Sequence, residues 1–193
     1  AADQDNPIAQ YNLGIVYFRD KYIKQDINEA INYITLASNH NFHQAQLFLG
    51  FIFYIGEYIE RNIDKAIHYF SLSAKQNNIY AQSILGVLYY EGKYTVRDIN
   101  KSLYFFTLAA KQKDPISLLY IGEIYFEGIY ITRDINKGIY YYTLASNQDN
   151  SYAQFQLGLI YYKGEFVPQN IAKSIHYFTL SANHNERYAQ LYL

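Results

Sequence analysis

Histidines are the side chains in this sequence best fitted to bind a metal or move a proton near neutral pH. They are His40, His43, His68, His176 and His184. Their spacing argues for a different origin. His184 occupies the same place in a 36-residue pattern as His40, and His176 the same place as His68. They recur because the pattern recurs. His40 and His43 are close enough to share an ion, but no further ligand stands beside them in the sequence, and a metal site needs three or four. The chain has no HExxH helix motif, no glycine-rich phosphate loop and no Gly-x-Ser-x-Gly elbow. It has no cysteine, hence no disulfide and no thiolate ligand or nucleophile. Asn100-Lys101-Ser102 fits a glycosylation sequon, yet Ser102 falls where a helix is expected to bury a small residue, so the match reads as accidental. These residues predict no enzyme, no cofactor and no metal.

Composition removes other classes. Half of the 193 residues are hydrophobic, enough to bury a core. The net charge of −1 lacks the basic excess that phosphate contacts demand. A repeat-type RNA reader would also need basic surfaces and paired code residues in each repeat. No run of 18 apolar residues offers a membrane span. The lack of cysteine and of a targeting segment is compatible with a reducing, cytoplasmic setting. Methionine is absent even at residue 1, so the sequence reads as a piece of a longer protein.

The elements that would position any site come from a tandem array. Gly14, Gly50, Gly86, Gly122 and Gly158 are each 36 residues apart. The same step joins Ala9, Ala45, Ala81, Ala153 and Ala189, with Ser117 in the gap, and Gly56, Gly92, Gly128 and Gly164, with Asp20 in the first copy. It also joins Leu36, Leu72, Leu108, Leu144 and Leu180. The expected repeats are 8–43, 44–79, 80–115, 116–151 and 152–187, with partial repeats at 1–7 and 188–193, in one domain over 1–193.

Each unit divides into two helical patterns. In the second copy a first helix spans about Gln44 to Ile55, with Ala45, Leu49, Ile52 and Phe53 on one stripe. Gly56 closes it as a left-handed C′ residue. The second helix starts at Asn62, whose counterparts Asp26, Asp98, Asp134 and Asn170 are all good N-caps. Ala66, Tyr69, Phe70 and Ser73 form its buried face. Asn41, Asn77 and Asn185 end second helices, and Pro7 and Pro115 open first helices. A pair of helices cannot bury its apolar faces alone, but stacked pairs can, which makes a solenoid. The mid-helix glycine then marks close approach within a pair. Gly86 is expected to face Ser102 and Ala109 or Ala110.

These residues resemble the Sel-one-like repeat, a relative of the tetratricopeptide repeat. The carrying pattern is Ala-Gln-x-x-Leu-Gly-x-x-Tyr-x-x-Gly, a loop, then Asp-x-x-Lys-Ala-x-x-x-Tyr-x-x-Ala-Ala, seen well from Ala153 to Phe178. Two departures concern loops. Tyr22, Tyr58, Tyr94, Tyr130 and Phe166 stand where the family often has a second glycine, and Asn, Lys113 or Asp149 replaces the glycine that usually closes the second helix. The resemblance implies an all-α, right-handed superhelix of antiparallel helix pairs, with first helices on the concave face. It also implies a scaffold or adaptor that holds other proteins.

On that reading, a second apolar stripe on the first helices points into the groove: Tyr11, Ile15 and Phe18; Leu47, Phe51 and Tyr54; Val87 and Tyr90; Phe155, Leu159 and Tyr162. Phe18, Tyr54, Tyr90, Phe126 and Tyr162 make an aromatic ladder, one rung per repeat, suited to a protein or peptide ligand. Packing against neighbouring helices is the alternative duty. Charge varies beside the ladder, with Arg19 and Lys163 at the ends and Glu91, Glu123 and Glu127 in the middle. The expected function is protein binding in this groove. An architectural or self-associating spacer is the alternative, with end-to-end stacking through uncapped terminal repeats.

Overall fold

The structure is a computed structural model and describes residues 6–19, 26–183 and 189–192. Asp20, Tyr22, His184 and Asn185 lie outside the described residues. The helices are α1 (Pro7–Arg19), α2 (Ile27–Asn39), α3 (His43–Ile55), α4 (Ile63–Lys75), α5 (Ile79–Glu91), α6 (Ile99–Lys111), α7 (Pro115–Glu127), α8 (Ile135–Ser146), α9 (Ser151–Lys163) and α10 (Ile171–Asn183). A short 3-10 turn, Ala189–Leu191, follows. No strand forms among the described residues. The odd-numbered helices are the first helices of the repeats and the even-numbered ones the second.

The chain forms two compact units, Ala1–Asp98 and Ile99–Leu193. In the first unit α1 packs on α2 and α3 on α4, while α2 meets α3 and α4 meets α5. In the second unit α7 packs on α8 and α9 on α10, while α6 meets α7 and α8 meets α9.

Local chemistry sets the ends of these helices. Asp26, Asn62, Asp134 and Asn170 each accept a first-turn N–H with the side chain, as the sequence predicts. First helices have the same device, because Asn78, Asp114 and Asn150 accept from the N–H groups of Ala81, Ser117 and Ala153. Pro115 sits in the first turn of α7, where its missing N–H costs nothing. Gly56, Gly92, Gly128 and Gly164 end α3, α5, α7 and α9 in the left-handed region at φ +63 to +70°. Asn41, Asn77, Lys113 and Asp149 take the same region after the second helices, at φ +58 to +65°. Three of the four are Asn or Asp, which tolerate it best.

The buried faces follow the expected stripes. Ala45, Leu49 and Ile52 of α3 and Ala66, Phe70 and Ser73 of α4 are buried. Phe53 instead is half-buried and stacks face to face on Tyr69, centroids 5.7 Å apart. The same stack recurs as Tyr17–Tyr33, Tyr125–Tyr141 and Tyr161–Tyr177. The backbone carbonyl of Tyr17, Phe53, Tyr125 or Tyr161 also accepts the N–H of the next N-cap residue, at 2.9 to 3.3 Å. Stack and bond together fix how the second helix leaves the loop.

The glycines inside α1, α3, α7 and α9 are close-contact points, and what they meet there is a large side chain of the second helix rather than the small residues expected opposite Gly86. A Cβ on Gly50 would lie 2.5 Å from the Phe70 ring, on Gly122 2.7 Å from the Tyr142 ring, and on Gly158 2.6 Å from the Phe178 ring. On Gly14 it would meet Ile34 at 2.5 Å. The glycine therefore seats the largest buried side chain of the second helix. The small residue is beside it as expected, since Ser174 Oγ donates to the Gly158 carbonyl at 3.0 Å. The counterparts of Ala109 lie elsewhere: Ser73 and Ser181 donate to the carbonyls of His43 and Ser151 at the start of the first helix. That position is one turn beyond the ring residue on the same face, beside the first turn of the first helix rather than the glycine.

Candidate protein-binding surface

The aromatic ladder residues sit in the last turns of the first helices, two residues before the C′ glycine in the copies that have one. Four of the rings each meet an aromatic from further along the same unit. Phe18 lies edge-on to Tyr58 at 4.8 Å, Tyr54 to Tyr94 at 5.8 Å, and Phe126 to Phe166 at 5.3 Å. Tyr162 meets Tyr192 in the same edge-on way at 5.8 Å. The loop aromatics that depart from the family pattern are thus the partners of the ladder. Edge-to-face pairs at these distances contribute about 0.5–1.5 kcal/mol beyond their burial.

Burial grades the rungs. Phe126 is 8% exposed and also touches Tyr142, so it belongs to the core of the second unit. Tyr162 keeps 47% of its surface. Phe18, Tyr54 and Tyr90 are half-buried. Of the other stripe positions, Tyr11 packs edge-on against Phe42 and Phe48, and Phe155 packs tilted against Phe178 and edge-on against Tyr192. Ile15, Leu47, Val87 and Leu159 are half-buried, and Phe51 is exposed although its ring touches Phe70. Arg19, Glu91, Glu127 and Lys163 are exposed, and Glu123 is half-buried. Burial holds the Tyr11 phenol above its usual range, with Arg19 pulling the other way.

A recurrent cation or amide, not singled out by the sequence pattern, locks four of the loops beneath the ladder. Arg61 donates through Nε and Nη2 to the Ile55 carbonyl, Arg97 to the Glu91 carbonyl, Arg133 to the Phe126 carbonyl and Gln169 to the Tyr162 carbonyl. These carbonyls are among those a helix C-terminus leaves unpaired, and a cation also suits the negative end of the helix dipole. Arg133 in addition lies over the Phe166 ring at 4.5 Å. The signal was present, because Arg61, Arg97, Arg133 and Gln169 share the 36-residue step. In the first unit Arg61 and Lys93 both lie over the Tyr94 ring, at 5.4 and 5.0 Å. Lys93 first, then Arg61, draws the half-buried Tyr94 phenol below its usual pKa.

A second missed set is glutamine. Gln46, Gln82 and Gln154 are buried, and each Nε2 donates to a last-turn carbonyl of the preceding second helix: Ser38, Ala74 and Ser146. Buried polar groups need such partners. The glutamine of the Ala-Gln pair is therefore the hydrogen bond between stacked repeats.

The ladder closes a pocket in each unit. In the first, Phe18 and Tyr58 form one wall, Phe48, Phe51 and Ile55 the others, with buried Ile52 beneath, in a volume of about 210 Å³. In the second, Phe126, Phe166, Leu159 and Ile160 stand in the equivalent places, in a volume of about 280 Å³. There the side chains of Glu127, Arg133, Gln156, Lys163 and Glu165 make much of the lining polar. The structure thus brings Phe18 and Phe51 together in one pocket, and Phe126, Glu127, Leu159 and Lys163 in the other.

Among the described residues no group of three or more His, Cys, Asp or Glu could hold a metal. His43 instead faces Asn78 at 3.1 Å. Ser102 of the sequon is buried, as its helical position requires. No helix among the described residues is long and apolar enough to cross a membrane.

The repeat geometry has a counterpart among known families. The Sel1 repeat matches five times, over residues 7–42, 43–78, 79–114, 115–150 and 151–186. The chain belongs to the Sel1 repeat family. A comparison with curated proteins returns no match. Solved structures share the fold. The protective antigen c5321 of uropathogenic Escherichia coli, with an SLR fold, is 30% identical at a TM-score of 0.93 over the whole of this chain. The chain spans 41% of that antigen's length. A Sel1 repeat protein from Oxalobacter formigenes is 25% identical at a TM-score of 0.83, covering 96% of this chain and 76% of its own. The immunity protein Pa5087 of Pseudomonas aeruginosa, 19% identical at a TM-score of 0.55 over 95% of this chain and 67% of its own, shares the fold alone. Sel1 repeats are generally protein-interaction scaffolds, and the fold is typically non-enzymatic.

Proposed function

We propose that this Sel1 repeat chain is an interaction scaffold that holds a peptide or protein segment on the solvent-facing stripe of its first helices. The observation that carries the reading is a stripe left open on a fixed framework. Phe51, Ile55 and Tyr162 keep 37%, 51% and 47% of their surface, next to rings held by the loops of neighbouring repeats. Rigid aromatic and aliphatic groups beside a pocket bring contact area at low entropy cost, as binding anchors do. The groove candidates from Tyr11 to Lys163 divide accordingly. Phe51 in the first unit, with the neighbouring Ile55, and Leu159 and Tyr162 in the second are the contact residues, while Tyr11, Phe126 and Phe155 chiefly hold each unit's surface in shape. Arg19, Glu91, Glu127 and Lys163 supply the charges that steer a partner.

Peptides selected on the protein from a random-sequence display library test this. Phe51→Glu and Leu159→Glu in one chain should weaken such a peptide at least about tenfold with helix content unchanged. Unchanged affinity in that variant removes the first-helix surface from the account.

A second reading, a self-associating spacer, has its own observation. Tyr104, Tyr140 and Ile175 on second helices of the second unit are 60%, 58% and 51% exposed. On this reading copies associate through that face, and Tyr104→Ser with Tyr140→Ser returns the protein to a monomer in light scattering. A native protein that is already monomeric at high concentration excludes it.

A further inference from the structure

The pocket of the first unit identifies the kind of side chain it would take. Its volume of about 210 Å³ exceeds the apolar cavity of about 150 Å³ that holds a benzene ring. It falls below the range of about 300–1,000 Å³ usual for a whole cofactor or drug-sized molecule. One side chain fits, and a whole cofactor or drug-sized ligand would be left largely outside. Phe18, Phe48, Phe51, Ile55 and Tyr58 offer carbon surface on the walls, with Ile52 beneath. Among the described residues lining it, Glu57 alone is charged. The opposite charge on a ligand is then favoured beside the apolar group.

The equivalent pocket of the second unit makes the contrast. Phe48, Phe51 and Ile55 are replaced there by Gln156, Leu159 and Lys163, and Arg133 and Glu127 join the lining. An apolar group entering it would strip water from charged side chains without replacing their hydrogen bonds. The two pockets share a framework and differ in what they admit.

Resting on the scaffold reading above, we infer that the first-unit pocket receives one phenyl or branched aliphatic side chain of a bound segment, with a lysine or arginine next to it paired to Glu57. The partner is thus a segment with an apolar–basic dipeptide as its anchor. The Phe18–Tyr58 ring pair sets the depth, because its edge-on contact at 4.8 Å closes one end of the pocket.

Methyl NMR of the isoleucines tests this on the whole chain. The probes are N-acetyl-Phe-Lys-amide, N-acetyl-Phe-Glu-amide and N-acetyl-Ala-Lys-amide. Phe-Lys should shift the Ile52 and Ile55 methyls in a saturable way and leave Ile160 unmoved. Ala-Lys should bind at least about tenfold more weakly, since it lacks the ring. Phe-Glu should bind about threefold more weakly, the scale of a solvent-exposed charge pair. The Glu57→Gln variant should erase the charge preference and keep the ring preference. Unmoved Ile52 and Ile55 methyls, equal binding of Ala-Lys and Phe-Lys, or a charge preference that survives in Glu57→Gln would each overturn the inference. If display-selected peptides still lose affinity in the Phe51→Glu, Leu159→Glu chain while the dipeptides fail, the pocket assignment falls and the scaffold reading stands. If the dipeptides enter but selected peptides ignore that variant, the scaffold reading falls instead.

Discussion

The pocket beside Phe18 and the pocket beside Phe126 are built from the same places in the repeat, yet one is nearly all carbon and the other is edged with charge. Their shared parts are those that stack one repeat on the next: a ladder ring, the loop ring that meets it, and a buried isoleucine at Ile52 or Ile160. Their differing parts include side chains on the exposed side of the first helix, Ile55 and Lys163, and the half-buried pair Phe48 and Gln156. Packing constrains the first group and leaves the second group free. In this chain the interior of the repeat is a template, and the stripe facing solvent is where one copy can differ from another without loss of fold.

The largest effect separates the two ladder rings. Phe126→Ala should destabilise the second unit by about 3 kcal/mol or more, because the residue is 8% exposed and packs on Tyr142 and Phe166. Phe18→Ala should cost about 1–2 kcal/mol, as its ring is half-buried. Urea unfolding measures both, and equal losses would end the distinction between a structural rung and a pocket-lining rung.

Next comes a change that should affect both units alike. Gly50→Ala and Gly158→Ala each place a Cβ 2.5–2.6 Å from a fully buried phenylalanine ring that has no room to turn away. Each should cost about 1–3 kcal/mol by overpacking. A loss in one and not in the other, read from urea midpoints, would mean that the units do not share a framework.

Smaller still is an exchange of the exposed residues. Ile55→Lys and Lys163→Ile should each move stability by no more than about 0.5 kcal/mol, as expected for exposed sites. Calorimetry checks this, and the Ile55→Lys chain should also lose the Phe-Lys dipeptide signal at Ile52.

The smallest effect lies at high pH. Burial raises the pKa of Tyr11 in the first unit and of Tyr177 in the second above the ordinary 10.0. A folded group that holds its proton more tightly than the unfolded chain gives stability that is complete below pH 10. That stability is lost as pH rises through the raised folded value. Tyr11→Phe should therefore flatten the fall of the melting temperature above pH 10. Tyr94 runs the other way, drawn down by Lys93 and Arg61, so its phenolate should appear first in an ultraviolet titration and vanish from it in Tyr94→Phe.

The sequence made most of the fold readable because its signals are local. A cap such as Asn62, a left-handed Gly56 and the stripe Ala45–Leu49–Ile52 each need only a few neighbouring residues. The glycine contact was half readable. Periodicity tells which face of the second helix is buried, but Phe70 and Ser73 share that face one turn apart. Only the packed rotation and axial shift of the pair decide which meets Gly50. The site was less readable for a similar reason. Phe51, Leu159 and the ladder are visible as an apolar stripe on one helix. Tyr58 and Phe166 join them from loops 40 residues downstream of Phe18 and Phe126, a distance that no single-element pattern links. As departures from the family pattern they drew notice, but their role is a long-range contact.

The most direct test of the account maps a display-selected peptide on the methyl groups of the whole chain. The account predicts shifts at first-helix methyls, at Leu47, Ile52 and Ile55 for a peptide held by the first unit or at Leu159 for one held by the second, with the second-helix methyls of Ile67 and Ile175 unchanged. Shifts centred on Ile67 or Ile175, with the first-helix methyls unmoved, would contradict it.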